Sequence, residues 1–468
     1  MSMGWTASDV LEELGKDAVF TGPKSSLGNE VSAVKIDSRT LNDGDCFIAI
    51  RGENNDAHRF IESIPQNVNV LCVVESAWFN ANGAQFKHAF ILVENTLEAL
   101  HTLARSYKNR IGSDIIGITG TNGKTTTKEL VAHVLESTYA TSKTAGNLNN
   151  HFGVPLTLLA LRSPVQKSII EMGTNHPGEI AGLCKIAEPQ SGLITNIGKG
   201  HTEFLGDLDG VRRAKRELFE AIAARQGVAF VNTDDHNVLR AAKESGLRDT
   251  ISYGFQGSPD VSGKNMRLGA DGCPEFECRG KNIKIAVPGM HNAINGLAAI
   301  AVGLHNGIPM VHMQDALRKP LAVKGRMDIT RFEGRTIIDD TYNANPESMR
   351  VAIDCLYALP GIGRRFLALA DMHELGDNAH AEHIEILAHA RQSLPELILL
   401  RGPLMRQAAS SFSEDSSLMV METQEEIAEV LATQMKSEDA LLVKGSRGQH
   451  MEKVIFFLKK IMRAGKNN

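Results

Sequence analysis

The run Ile115-Ile116-Gly117-Ile118-Thr119-Gly120-Thr121-Asn122-Gly123-Lys124-Thr125-Thr126-Thr127 places an apolar strand, a glycine-punctuated turn and a helix start end to end. Gly120 and Gly123 let backbone N–H groups approach an anion with no Cβ in the way, and the helix start adds the positive end of its dipole. Lys124 supplies a mobile charge for outer phosphates, and Thr125, the first hydroxyl after it, is placed to ligate Mg²⁺. The usual phosphate loop, G-x-x-x-x-G-K-[ST], has a longer gap between its glycines; here only Thr121 and Asn122 stand between them. A short glycine loop alone is often a plain turn. With a strand before it and Lys-Thr-Thr and a helix after it, the segment reads as an ATP site.

Other residues suited to chemistry sit where strands end. Glu171 follows the apolar pair Ile169-Ile170, at the sheet edge where ligands of open parallel sheets gather. A carboxylate there suits Mg²⁺ bridging to phosphates; the plainer alternative is a solvated acid. The segment Leu193-Ile194-Thr195-Asn196-Ile197-Gly198-Lys199-Gly200-His201 ends a strand in the same way. It sets His201 where a second metal could be held, or on a surface loop. Lys215 lies on a helix whose apolar stripe is Val211, Ala214, Leu218 and Ile222, so it falls on or beside the inward face. Desolvation favours its neutral amine, which can take up CO₂ to give a carbamate, an anionic oxygen ligand for Mg²⁺. A lysine snorkelling from the stripe's edge is the alternative. In Asp339-Asp340-Thr341-Tyr342-Asn343-Ala344-Asn345-Pro346-Glu347-Ser348-Met349 a strand ends in two acids, and Asn345 caps a helix that opens with Pro346. The cap explains Asn-Pro. It leaves Asp340, Tyr342 and Asn343 as a polar ligand site. His373, His380, His383 and His389 fall on a charged, helical stretch that reads as solvated rather than metal-binding.

The elements that must position these residues read as α/β. Residues 31–36, 46–50 and 70–74 look like short strands separated by Asn, Asp and Gly, and residues 96–110 like a helix. From there to about residue 323, strands such as 168–172, 192–197 and 228–232 alternate with helices, the pattern of a parallel sheet wrapped by helices. The last third repeats it, with strands at 336–339, 366–370, 397–400 and 440–443 and a helix at 347–359, as a second doubly wound domain. A length of 468 residues fits about three domains.

The composition excludes several classes. A net charge of -5 gives no electrostatic reason to expect nucleic acid. The N-terminus has no basic region followed by an apolar stretch, as a signal peptide would, and no run approaches the roughly 18 apolar residues of a membrane helix. The six cysteines are scattered, and Cys273 and Cys278 have no second pair to complete a zinc site. Free thiols in a reducing cytoplasm are expected.

Gly120-Thr121-Asn122-Gly123-Lys124-Thr125-Thr126 resembles the nucleotide loop of Mur ligases and folylpolyglutamate synthetases, ATP-dependent amide-forming enzymes. Further segments resemble one Mur ligase branch, which joins D-alanyl-D-alanine to UDP-N-acetylmuramoyl-tripeptide. They are Thr144-Ala145-Gly146-Asn147-Leu148-Asn149-Asn150 with Gly153-Val154-Pro155-Leu156-Thr157-Leu158-Leu159, and Glu171-Met172-Gly173-Thr174-Asn175-His176-Pro177-Gly178-Glu179-Ile180. Asp340-Thr341-Tyr342-Asn343-Ala344-Asn345-Pro346 and Val443-Lys444-Gly445-Ser446-Arg447 complete the set, and the match runs over about residues 31–455.

The resemblance implies three domains: a mixed α/β UDP-sugar domain (1–93), a central P-loop ATPase-like parallel-sheet domain (94–323) and a C-terminal Rossmann-like domain (324–468). Thr125, Glu171 and His201 resemble the family's magnesium ligands, two ions being expected, and Lys215 its carbamoylated lysine. Lys124, Lys215, His201 and Glu171 are the implied catalytic set. Asn292 and Asn295 match an adenine-contacting motif, and Arg326 and Asp340 resemble contacts to the nucleotide. Ser38, Arg39, Gly52, Asp56 and His58 resemble a cradle for the UDP-sugar. Asn147, Asn149, Asn150, Tyr342, Asn343, Asn345, Lys444 and Ser446 stand at further substrate positions. Two departures stand out: Arg216 replaces a usual glycine after the modified lysine and should point outward, and Gly198-Lys199-Gly200 replaces a run of small residues before His201.

The implied reaction passes the γ-phosphoryl group of ATP to the tripeptide's terminal carboxylate, and the acyl phosphate is attacked by the dipeptide amine. Lys124 and Mg²⁺ stabilise charge, and domain closure keeps water out. A cytoplasmic monomer acting on small molecules is expected. One alternative is a ligase adding another amino acid or acting on folate, against which the Asp340 to Pro346 segment argues. The other is a nucleotide-binding switch, which has no need of Glu171, His201 and Lys215 together.

Overall fold

The structure, a computed structural model, describes residues 3–52, 55–321 and 324–464. The expected boundary between residues 323 and 324 therefore touches positions outside the described residues, as do the chain ends of the first and third expected domains. Two compact units emerge. The first comprises Met1–Gly117, Tyr139–Gly173 and Glu179–Ser191; the second comprises Ile118–Thr138, Thr174–Gly178 and Gly192–Asn468.

In the first unit, Leu71–Glu75 and Ala89–Val93 are nearly unbroken apolar runs, as suits interior strands covered on both faces. They pair in parallel, with Val73 opposite Ile91. The sheet order is Val19–Thr21, Ala89–Val93, Leu71–Glu75, Cys46–Ile48, Val34–Lys35. Phe47, Ile61, Val70, Cys72, Val74 and Phe90 fill one core against it. Residues 31–36 do not form the single strand expected. Glu30–Val31 pairs with Trp5–Thr6, and Val34–Lys35 joins the larger sheet. Between them the Ser32 N–H donates to Gly44 O at 2.8 Å. The helix Thr96–Ile111 is capped by Asn95, whose side chain accepts from Leu97 and Glu98 N–H, and stops at Gly112 with φ +70°. Strand Lys167–Glu171 lies parallel to Thr141–Lys143 and ends at Glu171.

In the second unit, Thr195 N–H donates to Thr119 O at 2.9 Å, tying the end of strand Asp114–Thr119 to the chain leaving Ser191–Ile194. Val228–Asn232, Asp249–Gly254 and Val261–Leu268 pair in parallel succession. Then the expected alternation fails: Val261–Leu268, Pro274–Cys278 and Lys281–Lys284 form an antiparallel ribbon. Its second hairpin turns on Arg279 and Gly280, both at positive φ, the backbone a tight two-residue hairpin requires.

The C-terminal sheet has the order Asp328–Phe332, Arg335–Asp340, Ala440–Lys444, Arg365–Ala370, Leu397–Arg401, Leu418–Met421, all parallel except the first pair. Strand alternation divides its side chains between two cores. Ile338, Leu367, Leu369, Leu400 and Leu442 pack with Ile353, Leu356, Ile386 and Leu387. Ile337, Phe366, Leu399 and Leu441 pack with Ile427, Leu431, Val454 and Leu458. Each such fully buried side chain contributes about 1.5–3 kcal/mol. This doubly wound arrangement brings Asp340, Ala370, Arg401 and Lys444 to the strands' carboxyl edge. Among the described residues, no helix is long and apolar enough to cross a membrane.

Candidate active site

The nucleotide loop belongs to the second unit. Gly120 has φ +149°, and a Cβ there would lie 1.8 Å from Thr195 Oγ1, so only glycine fits. Gly123, at φ +78°, precedes the helix Lys124–Glu136 and abuts Asn295. The loop is braced by the end of the neighbouring strand. Thr121 N–H donates to Asn196 O at 3.0 Å and Asn122 N–H to Asn196 Oδ1 at 2.9 Å. Those two amides are therefore spent inside the protein. The anion-facing donors are left to the first helical turn, whose N–H groups have no intrahelical acceptor. Lys124 Nζ folds over the loop, donating to Gly120 O at 2.7 Å and Thr121 O at 3.2 Å. Thr125 and Thr126 are buried at the helix start.

Lys215 is inward, as its spacing suggested. It is 1 % exposed on the helix Leu208–Ala224, which Asp207 caps by accepting from Gly210 N–H. Burial first, and the positive Lys124 second, hold its pKa well below the ordinary lysine range. Arg216 points outward as expected: its guanidinium pairs with Glu220 and Glu244, each at 2.7 Å, and Glu244 also takes Arg212. The helix is thus clamped on its outer side while Lys215 remains inside. His201, at φ +58°, sets its Nδ1 2.6 Å from Glu374 Oε2, which leaves Nε2 as the nitrogen available to a metal. Among the described residues, no group of three or more His, Cys, Asp and Glu side chains is arranged to hold a metal.

The segment after strand Arg335–Asp340 is a closed polar knot. Asp340 accepts from Met327 N–H at 3.0 Å and from Lys444 Nζ at 2.5 Å, and Lys444 also donates to Asn343 O at 3.0 Å. Tyr342 N–H donates to Gly325 O, and the Arg326 guanidinium stacks 4.1 Å over the Tyr342 ring. Asn345 and Ser348 cap the helix Pro346–Ala358 reciprocally. Ser446 receives His373 N–H at 2.8 Å and donates to Ala344 O at 3.4 Å. Asn292 donates to Pro288 O at 2.7 Å and accepts from Asn295 at 2.8 Å, so this pair also braces Gly123.

Sequence alone missed the contacts between this knot and the loop. Asn345 Nδ2 donates to Asn122 Oδ1 at 2.8 Å, and Asn122 Nδ2 donates to Glu347 Oε2 at 3.1 Å. Lys199 pairs with Glu382 at 2.7 Å. Burial, and then nearby Asp235, raise the Glu347 pKa against the hydrogen bonds from Lys199 and Asn122. An acid at a helix start is ordinarily explained by the dipole, so nothing in the sequence singled Glu347 out. The histidine stretch needs correction. His383 is fully buried: it accepts from Met372 N–H through Nε2 at 2.9 Å, and its Nδ1 lies 2.6 Å from Ala379 O. It is a satisfied core histidine rather than a solvated one, and Glu382 beside it is buried too.

In the first unit, Glu171 is 2 % exposed and accepts from Asn149 Nδ2 at 3.0 Å, which excludes the solvated-acid reading. Asn150 caps the turn into Gly153–Leu159 through Phe152 and Gly153 N–H, and Asn147 is exposed. Ser38 and Arg39 lie on a short 3-10 turn, Ser38–Thr40. Arg39 is 86 % exposed and chelates its own neighbour Asp37, whose pKa is held down to about 2 by that bond. Gly52 N–H donates to Asn55 O. His58 is fully buried: Glu75 N–H donates to its Nε2 at 3.0 Å, and Nδ1 lies 2.5 Å from Asp56 Oδ1. Both ring nitrogens serve the fold, so His58 orients Asp56 and has no nitrogen left for a ligand. All six cysteines are free thiols.

Two family models match the chain: the Mur ligase middle domain over residues 118–303 and the Mur ligase, glutamate ligase domain over residues 325–447. The UDP-N-acetylmuramoyl-tripeptide--D-alanyl-D-alanine ligase of Bacillus subtilis (strain 168) is 32 % identical over 91 % of this chain and 92 % of its own length. A crystal structure of MurF from Acinetobacter baumannii is 31 % identical, with a TM-score of 0.85 and coverage of 97 % of this chain and 99 % of that one. MurF ligase from Thermotoga maritima in complex with ADP is 26 % identical, with a TM-score of 0.80 over 92 % of this chain and 98 % of that one. The three-domain architecture expected from the sequence matches these structures. With a glycine loop built on strand, turn and helix and a relative this similar along nine-tenths of its length, the chain belongs to the Mur ligase family.

Proposed function

We propose that the protein is an ATP-dependent ligase that joins D-alanyl-D-alanine to UDP-N-acetylmuramoyl-tripeptide. The observation that carries the reading is the hydrogen-bonded union of the nucleotide loop with the knot at residues 340–347, through Asn122, Asn345 and Glu347. A carboxylate oxygen of the tripeptide attacks the γ-phosphorus of ATP, and ADP leaves. The dipeptide's neutral amine attacks the acyl carbon, the bond to the phosphate oxygen breaks, and phosphate and a proton are released with the amide. Lys124 and the first turn of its helix bind the phosphates and offset charge as it moves between oxygens. The knot at residues 340–347, with Lys444 and Ser446 behind it, orients the incoming dipeptide. Ser38, Arg39, Gly52 and Asp56 serve the UDP-sugar, with His58 behind Asp56, and Asn147, Asn149 and Asn150 the rest of that substrate. Asn292, Asn295, Arg326 and Asp340 serve the nucleotide. Residues 1–93, 94–323 and 324–468 are the proposed domains for these tasks.

Magnesium, when bound, screens the phosphate charges and polarises the transferring group. Thr125, His201 and a carbamate on Lys215 would hold it, and Glu171 is a further candidate ligand from its strand-end position. Lys215 fits the part: it is buried, and its charged neighbour is the positive Lys124. Left as an ammonium it would repel the metal, whereas as a carbamate it attracts it. We place the reaction in the cytoplasm, on a monomer, since the substrates are UDP-linked small molecules and the cysteines are unpaired. The test is phosphate release from ATP and UDP-tripeptide with and without D-alanyl-D-alanine. Dipeptide-dependent release is expected, and nucleotide binding without turnover would contradict the reading.

A further inference from the structure

Glu347 is the second residue of the helix Pro346–Ala358, and its carboxylate reaches across to the loop. Oε2 accepts from Asn122 Nδ2 at 3.1 Å and Oε1 from Lys199 N–H at 3.2 Å. A Cβ on Gly198 would lie 2.0 Å from both oxygens, so the carboxylate sits in space that only glycine leaves open. Asn122, between the loop glycines, is held on every polar atom. Its N–H goes to Asn196 Oδ1, its C=O accepts from Thr195 Oγ1 at 2.6 Å and Asn196 Nδ2 at 3.1 Å, and its Oδ1 accepts from Asn345. Strand ends fix its backbone, and the start of one helix fixes its side chain.

We propose that Glu347 is a positioning residue for the nucleotide loop: seated over Gly198, it fixes Asn122 and so ties the shape of the loop to the segment that takes the second substrate. The geometry stands apart from the ligase reading, and only the identity of that second substrate rests on it. Asn345 and Glu347 lie directly after Asp340, Tyr342 and Asn343 in the chain, so occupancy of that segment and occupancy of the loop act on one hydrogen-bonded unit. Without Glu347, Asn122 Nδ2 loses this acceptor and the loop relaxes.

The test measures binding of Mg·ADP to the full chain by calorimetry, with melting temperatures recorded without nucleotide. The variants are Glu347→Ala, Glu347→Gln, Gly198→Ala and the double variant Gly198→Ala/Glu347→Ala. Glu347→Ala should bind about tenfold more weakly at an unchanged melting temperature, the size of one lost hydrogen bond to a charged group. Glu347→Gln, which keeps the shape and one acceptor oxygen, should lose about threefold. Gly198→Ala expels the carboxylate and should match Glu347→Ala, and the double variant should be no worse than either single one. Unchanged affinity in Glu347→Ala, affinity lost only in step with melting temperature, or single effects that add would each overturn the proposal. Should Gly198→Ala fail to fold, the two Glu347 variants still decide. No second substrate enters the assay, so its failure leaves the phosphate-release test untouched, and the reverse holds as well.

Discussion

The nucleotide loop and the His58 corner of the first unit are both rich in polar groups, and they use them in opposite ways. The loop's motif is a backbone requirement: Gly120 has no room for a Cβ, Gly123 is left-handed, and the helix starts at Lys124. At the His58 corner the side chains satisfy one another: His58 is spent on Asp56 and Glu75, and Arg39 on Asp37. A motif that dictates backbone shape says where a ligand goes. A motif that supplies polar side chains says only that some of them are used, and the fold decides by what.

The sharpest way to break this contrast is Lys124→Ala. Lys124 Nζ donates to the loop carbonyls of Gly120 and Thr121, so ligation should fall by at least about a hundredfold with the melting temperature little changed. Near-normal ligation by the folded variant would remove the loop from the mechanism. Gly120→Ala tests the backbone claim itself. Its methyl must displace Thr195 and its φ is unfavourable for alanine, so chemical denaturation should show a loss of about 3 kcal/mol. A stability equal to that of the parent would mean the loop has slack.

On the other side of the comparison, His58→Ala should cost about 2 kcal/mol by leaving the Glu75 amide without its acceptor at a fully buried position, while Asp56 keeps Arg51 and the residue-58 N–H. The KM for the UDP-linked substrate should worsen only in step with that loss. Arg39→Ala should change stability by less than about 0.5 kcal/mol, since it is almost fully exposed. It should raise that same KM if Arg39 leaves Asp37 for the substrate. A large KM effect for His58→Ala at full stability would reverse the assignment.

How much was legible follows the same division. The apolar runs at 70–74, 366–370 and 440–443 announced their strands because parallel interior strands must be apolar on both faces. The ribbon from Val261 to Lys284 escaped because its strands expose polar residues such as Lys264 and Asn265 and look like loop until the hairpin turns are recognised. Lys215 was legible from helical spacing, and Arg216 followed from it. His383 was not, because the charges around it conceal how deeply its helix is buried. Glu347 was hidden by a sufficient local explanation. Its partner Asn122 is 225 residues away in sequence, and only the folded chain brings them together.

Stability should also depend on pH. His291 has a buried Nδ1 without a partner, and burial, with Lys444 adding and Asp340 opposing, holds its pKa down to about 4 from 6.5. Between those values the unfolded chain takes a proton that the folded one refuses. The stability this group contributes is therefore present above pH 6.5 and is lost as pH falls towards 4. Melting temperature should decline across that window, and His291→Asn should flatten part of the decline. An unchanged slope would show that the ring is solvated.

The ligase account stands or falls on the path of one oxygen. With ¹⁸O in the terminal carboxylate of the UDP-linked tripeptide, transfer of the γ-phosphoryl group places a labelled oxygen between carbon and phosphorus, and attack by the dipeptide amine leaves it on phosphorus. Mass analysis of the phosphate released with ATP, Mg²⁺ and D-alanyl-D-alanine should find one labelled oxygen per phosphate, in step with the amide formed. Unlabelled phosphate accompanying amide formation would contradict the acyl-phosphate mechanism and the roles assigned to Lys124 and the knot at residues 340–347.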